Sequence, residues 1–479
     1  MMDGHDGAAA TPNGADSIAV RAAATAGLGR NLAFRGGLLT SLPRVPNTRL
    51  TMLTLGDSIT ARASSNSYMV WAHIRSRKRF FFNQSLNKGI SGNTTADVLA
   101  RFDRDVVPFK PDVITLAVGT NDCRTLPGGA LDVSYEGITE RLGKILDRCA
   151  AIGAFVNLVT VRPNGGFGAF TEEQILRAQR LMLRVNRWIL AEQRRRDGIQ
   201  VIDPWLQWVD PLTGGPRAGV TEDYLPTPDL THPSAIGGFA EGAVHLAMLA
   251  PMLNAGNEPH LIRSVLDTYD AEDNPGGNLL ANGLLQGSDG RAVAGVSGSV
   301  ATSWTLSTAA PGNSGTIVGS KENWGSRGER QVVTITDRVN PNGAVAADFV
   351  EVVALDQLIR FSSGVYAPGD VLEGCLDIEV SASTGVSGVY LELREEAGTG
   401  TPPVATIDPL LTNRFQAGPA DAWSGILGAE AARITVRAPA SEGHQLIRFR
   451  VAMSLVTGGA GASVTVKAGQ ATLRKVNAA

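Results

Sequence analysis

The sequence predicts an α/β/α sandwich on a five-stranded parallel sheet, followed by an all-β, jelly-roll-like sandwich. Three observations carry this expectation. From Leu50 onward, short apolar runs alternate with amphipathic helical patterns, the texture of parallel strands joined by crossover helices. After Asn254 the period changes to two, in segments such as RQVVTITD, DFVEVVAL and ARITVRAP set between Gly, Pro and Asn turns. Finally, 479 residues with 43% apolar and 19% charged side chains suffice for more than one ordinary core.

In the first unit, LTMLTL (50–55) reads as a buried strand and RFFFNQSL (79–86) as the second. TADVLARFDRDVV (95–107) has helical spacing and leads to the strand DVITLAV (112–118). YEGITERLGKILDRCAAIG (135–153) is an amphipathic helix closed by Gly153, and AFVNLVTV (154–161) is the next strand. The long helix at 171–196 has an acidic first turn and a basic last turn, as the helix dipole favours. IQVID (199–203) makes the fifth strand and residues 234–253 the closing helix. HLIRSVLDTYD (260–270) reads as a helical linker or first cap, and about eight to ten strands follow it. The expected division is an N-terminal arm or leader at 1–48, the α/β unit at 49–255, a linker at 256–274 and the β-sandwich at 275–479.

Composition narrows the function classes. A net charge of −3 supplies no field to gather nucleic acid or an anionic membrane surface, so neither is expected as a partner. Cys123, Cys149 and Cys375 are an odd, sparse set without metal-ligand spacing, and are expected as buried free thiols. The N-terminal MMDGHDGAAATPNGAD is acidic, lacks an apolar core and does not read as a secretory signal. A soluble product is expected, with its address open between extracellular, virion-associated and cytoplasmic. The arm at 1–48 is either a flexible leader or an attachment to an oligomer or larger assembly.

Four short blocks carry the chemistry. Ser58 in TLGDSIT follows the first strand, where loops at the carboxyl ends of a parallel sheet share a crevice. A serine needs a base, and the base an orienting group. Read alone, GDS is by default a polar turn. In NKGISGNTT (87–95), Gly92 offers a backbone N–H to a developing oxyanion, and in GTND, Asn121 offers a side-chain amide. In DLTH, Asp229 lies three residues before His232, close enough to orient the ring, and Ser234 caps the helix that follows. Asp57, Asn87 and Asp122 read as loop braces, while His73 and His245 read as packed or surface groups within helical patterns. Trp205 and Trp208 read either as a sugar-stacking wall or as core. The loop 162–170 reads either as a rim of the site or as irregular connection, and 209–228 as the other rim.

Taken together and in this order, GDSI, SGNT, GTND and DLTH resemble the SGNH (GDSL-type) hydrolase superfamily across roughly residues 50–253. The resemblance implies Ser58 as nucleophile, His232 as base and Asp229 as its partner. The backbone N–H groups of Ser58 and Gly92, with the Asn121 amide, would form the oxyanion hole. It implies no metal and no organic cofactor. By texture alone, the start of the second half looks like jelly-roll carbohydrate-binding modules, with Trp304, Trp324, Tyr366, Tyr390 and Trp423 as sugar platforms or core residues. The combination leads to the expectation of a serine esterase that removes acyl groups, acetyl first, from a carbohydrate or polysaccharide. The alternative is a glycan-binding adhesion protein or virion spike that keeps the hydrolase fold as a scaffold.

Overall fold

The computed structural model describes residues 49–124, 134–168, 170–222, 229–341, 350–397, 403–411, 416–437, 445–458 and 461–476. The arm at 1–48 lies outside them, as do parts of both loops expected to rim the site. Strands β1 (Met52–Gly56), β2 (Asn87–Gly89), β3 (Val113–Ala117), β4 (Phe155–Val159) and β5 (Ile199–Ile202) form a parallel sheet in the order β2-β1-β3-β4-β5. Order reverses at β1, so the loops after β1 and β3 diverge and leave a crevice between them.

Helices cover both faces because each buried strand presents apolar side chains alternately to either side. Leu53, Leu55, Ile114, Leu116, Val156 and Leu158 pack under α2 (Thr95–Asp105), α4 (Tyr135–Ala151) and α5 (Glu172–Arg195). Met52, Val113 and Phe155 face α1 (Tyr68–Arg75) and α7 (Ala235–Leu249). The short helices α3 (Thr120–Arg124) and α6 (Trp205–Trp208) follow β3 and β5. Capping boxes at Thr94/Asp97 and Thr171/Gln174 start α2 and α5. The run 235–252 is long and apolar enough to cross a membrane by composition. Here its helical part, α7, buries one side that includes Phe239, Glu241, His245 and Leu249.

The second unit packs two six-stranded sheets around one core. One has the order β15-β12-β17-β10-β9-β7 and the other β14-β13-β16-β11-β8-β6. These strands are β6 (Asp289–Ala292), β7 (Ser297–Gly298), β8 (Val300–Thr308), β9 (Ser314–Asn323), β10 (Glu329–Val339), β11 (Val350–Arg360), β12 (Val371–Val380), β13 (Val386–Ala397), β14 (Val404–Asp408), β15 (Trp423–Thr435), β16 (Gln445–Val456) and β17 (Ala462–Val476). Pairing is antiparallel except where the short β6 and β7 join β8 and β9. Trp304, Leu355, Leu376, Phe449 and Val466 are among the inward residues of the shared core.

The sandwich is docked on the first unit through α1. Trp71 meets Trp423 edge to face at 5.4 Å. Gly425 lies so close that a Cβ there would sit 2.3 Å from the Ile74 carbonyl. A buried ion pair joins Lys78 to Asp408 (2.7 Å), Arg49 pairs with the buried Glu430 (3.0 Å), and His73 Nε2 lies 3.2 Å from the same carboxylate. Arg77 pairs with Asp377 at 2.6 Å.

Three expectations change. RFFFNQSL is not a strand: Phe80, Phe82 and Leu86 turn into the core beside α1, Phe81 alone bridges to Thr51, and the second strand is Asn87–Gly89. HLIRSVLDTYD is not helical either. Its backbone is claimed by the sandwich, with Ile262 N donating to Thr472 Oγ1 and Ile262 O accepting from Gln470 Nε2, each at 2.8 Å. The sandwich has twelve strands among the described residues, because β6, β7 and β14 are too short to show a period in the sequence.

Candidate active site

Ser58 stands in the turn that follows β1, and Gly56 makes that turn fit. A Cβ on Gly56 would lie 2.1 Å from the Ala117 carbonyl of β3, so only glycine lets the two strand ends run this close. Asp57 is buried, accepts from Ile59 N at 3.0 Å and braces the turn. Burial pushes its carboxyl above the ordinary value, against the pull of Arg162.

DLTH brings its two functional side chains to this turn. Asp229 Oδ1 accepts from the backbone N–H groups of Thr231 (2.9 Å) and His232 (3.0 Å), which fixes the carboxylate. Its Oδ2 lies 2.6 Å from His232 Nδ1, and His232 Nε2 lies 2.7 Å from Ser58 Oγ. A carboxylate only accepts, so the network places the ring proton on Nδ1 and leaves Nε2 to accept from the Ser58 hydroxyl. Burial opposes the Asp229 charge, but the bonds from His232 outweigh it and hold the carboxyl below its ordinary value. Asp229 and His232 side chains are 19% and 24% exposed, so this relay opens to solvent.

Gly92 comes from the loop after β2, and Asn121 from the start of α3 after β3. Gly92 is exposed with φ +79°, and nothing lies within 4 Å of where a Cβ would point. Asn121, in the first turn of α3, donates from Nδ2 to Asn93 O at 2.9 Å, which ties its amide to the loop that carries Gly92. Asp122 receives Thr95 N (2.9 Å) and Thr95 Oγ1 (2.6 Å), and Asn87 Oδ1 receives Gly89 N (3.0 Å). Both brace loops, as the sequence suggests.

Two supporting groups escaped sequence reasoning. Arg101 donates from Nη2 to Gly56 O (2.9 Å) and Lys88 O (2.8 Å), and from Nε to Asn93 Oδ1 (2.7 Å). One guanidinium thus joins the end of β1 to the Gly92 loop. The available signal was an arginine beside the apolar Val98 and Phe102 stripe of α2. Arg162 and Glu241 form a buried pair, and Glu241 also receives Trp208 Nε1 at 2.9 Å and His245 Nε2 at 3.2 Å. Although burial opposes its charge, Arg162 and His245 draw the Glu241 carboxyl down to about 2. Glu241 is the sole charge in the apolar stretch 234–253, and a lone buried carboxylate requires a cation.

The expected rim at 162–170 is a buttress over its described part. Gly165 N donates to Leu230 O at 2.9 Å, and a Cβ on Gly166 would meet Thr231 Oγ1 at 2.3 Å. Trp208 is core rather than a sugar wall, and Trp205 packs partly buried against the sheet core. Of the five sandwich aromatics, Trp304, Tyr366, Tyr390 and Trp423 are buried, and Trp324 lies under the guanidinium of Arg330 at 3.8 Å. All three cysteines are buried free thiols. Glu222, Asp229 and His232 each present a ligand-type atom within 4.8 Å of the others. Both His232 ring nitrogens are already engaged by Asp229 and Ser58, so this trio does not fit a metal without dismantling the relay.

Residues 54–238 match the model of the GDSL-like lipase/acylhydrolase family. An acetylxylan esterase of Geobacillus stearothermophilus is 51% identical over 37 residues, 8% of this chain and 17% of that protein. The uncharacterized lipoprotein YqeF of Bacillus subtilis (strain 168) is 36% identical over 78 residues, 16% of this chain and 32% of that protein. The matches therefore span less than a third of either relative's length. Among solved structures, a GDSL-like lipase from Bacteroides thetaiotaomicron VPI-5482 has 19% identity and a TM-score of 0.32, covering 44% of this chain and 91% of its own. The lipase/acylhydrolase from Enterococcus faecalis has 21% identity and a TM-score of 0.32, covering 42% and 96%.

Proposed function

Since residues 54–238 are a GDSL-type acylhydrolase domain, we propose that the protein is a serine esterase that cleaves small O-acyl groups, acetyl first, from a carbohydrate. The observation that carries this reading is the relay Ser58 Oγ, His232 Nε2, His232 Nδ1, Asp229 Oδ2, with links of 2.7 and 2.6 Å. Ser58 Oγ attacks the ester carbonyl carbon as its proton passes to His232 Nε2, and Asp229 stabilises the imidazolium that forms. The carbonyl oxygen, now negative, is received by the N–H groups of Ser58 and Gly92 and by the Asn121 amide. His232 gives its proton to the departing sugar oxygen, which leaves Ser58 acylated. Water then attacks the acyl carbon, giving one proton to His232, and release of the acid restores the Ser58 hydroxyl.

The acetyl and carbohydrate parts of the reading lean on the short stretch shared with the acetylxylan esterase. Hydrolysis of aryl acetate, butyrate and octanoate, and release of acetate from acetylated xylan, test them with wild type and Ser58→Ala. Wild type should prefer acetate and release it from the polysaccharide, and Ser58→Ala should lose about 10³-fold or more in kcat. Equal rates in the two proteins would overturn the mechanism. A preference for octanoate with no acetate released would replace the substrate class by longer acyl esters.

A further inference from the structure

Glu222 lies in the loop after α6 that was expected to rim the site, yet it is 3% exposed. Its backbone is laced to DLTH. Glu222 N donates to His232 O at 2.9 Å, Asp229 N donates to Glu222 O at 3.1 Å, and Thr221 bridges Pro233. Its carboxylate, within 4.8 Å of ligand-type atoms of Asp229 and His232, also bonds the segment that follows Ser58. Oε1 accepts from Asn66 Nδ2 at 2.8 Å and pairs with Arg62 Nη2 at 3.0 Å. That segment is itself secured, since Asn87 Nδ2 donates to Arg62 O at 3.2 Å, Trp71 Nε1 to Ser65 O at 2.6 Å, and Ser65 N to Leu410 O of the sandwich at 2.8 Å.

We propose that Glu222 is a positioning residue, a strut that sets the distance between the Ser58 turn and the His232 loop. Ser58 and His232 are 174 positions apart in sequence and belong to different loops, so their 2.7 Å contact needs a rigid tie. The Glu222 carboxylate is such a tie: one side chain bonded to the Ser58 segment, on a backbone bonded to Asp229 and His232. Separating a buried carboxylate from its donors leaves polar atoms unsatisfied, at a cost comparable to that of a lost buried pair, so the strut favours one geometry. Misplacement of reacting groups by about 1 Å lowers a rate on the order of 100-fold, which makes a tie of this kind a determinant of turnover.

The proposal rests on the ester-hydrolase reading. Its test uses the full chain with Glu222→Ala, Glu222→Gln, Asn66→Ala and the Glu222→Ala/Asn66→Ala pair. Glu222→Ala should lower kcat on an aryl acetate by about 10- to 100-fold with KM nearly unchanged. It should slow fluorophosphonate labelling of Ser58 by the same factor within the folded fraction. Glu222→Gln, whose amide oxygen can accept both bonds, should recover most of the rate. The double variant should lose less than the product of the two single losses, because both remove one link. A low-field proton resonance from the Asp229–His232 bond, present in wild type, should broaden in Glu222→Ala. Wild-type kcat and labelling in Glu222→Ala, or a loss that follows only the unfolded fraction, would overturn the strut. If wild type neither turns over esters nor reacts with the fluorophosphonate, the esterase reading fails instead. The proton resonance then decides the strut alone: broadened in Glu222→Ala it stands, unchanged it falls.

Discussion

Asp229 accepts three hydrogen bonds within its own loop, from Thr231 N, His232 N and His232 Nδ1, and the last decides which ring nitrogen faces Ser58. Asparagine there would keep the shape and reverse the chemistry. Its amide can donate to Nδ1, so the ring would turn its N–H toward Ser58 and lose its role as acceptor. Asp229→Asn should therefore fold with a melting temperature near wild type while kcat falls about 10³- to 10⁴-fold. Calorimetry beside ester hydrolysis checks both halves of that expectation. A Ser58→Ala loss with Asp229→Asn fully active would mean that another group orients His232.

At the scale of elements, α7 does two jobs. Its N-terminus, capped by Ser234 accepting from Gly237 N at 3.1 Å, anchors DLTH, and its middle carries Glu241 to Arg162 at the root of the loop after β4. The Glu241 carboxyl is drawn down to about 2 from the 4.5 of a free glutamate. A carboxyl depressed in the folded state contributes stability that is complete above the unfolded value and is lost as pH falls through the folded one. This contribution should thus decline from about pH 4.5 to about pH 2, visible as falling urea midpoints across that window. Glu241→Gln should flatten that part of the profile. At neutral pH it should destabilise by about 3 kcal/mol, because Arg162, with a side chain only 3% exposed, loses its partner.

For the whole molecule, the junction between the two units is built like a core. Lys78 is 1% exposed and bonds Asp408, which also receives Gly428 N at 2.7 Å. Burial opposes the Glu430 charge, yet His73, Arg49 and Lys78 hold its carboxyl well below the ordinary range. Such groups cannot separate into water without opening the contact between Trp71 and Trp423. Wild type should therefore show one cooperative calorimetric transition. Lys78→Met, which strands Asp408, should lose about 3 to 5 kcal/mol and begin to separate the transitions. Two well-resolved transitions in wild type would mean that the units unfold independently.

The order of elements in the first unit was legible because buried strands and amphipathic helices leave separate periods in the sequence, and GDSI, SGNT, GTND and DLTH named residues for the site. RFFFNQSL was misread because its apolar side chains fill the space beside α1; in HLIRSVLDTYD only Leu261 and Ile262 are buried, where the segment lies along β17, while Val265 and Leu266 are exposed. Local pattern registers that a side chain is buried, but not what buries it. For the same reason Trp304 and Trp423 could be read as platforms or as core until two sheets closed over one and α1 over the other. The sequence by itself determined the parallel layer, the alternating sandwich and the residue types at the crevice. Tertiary structure alone decided that Ser58 and His232 stand 2.7 Å apart, that Glu222 ties their loops, and that the sandwich is bonded to α1. Contacts across 174 or 330 positions depend on the packing of every layer between, and no local period records them.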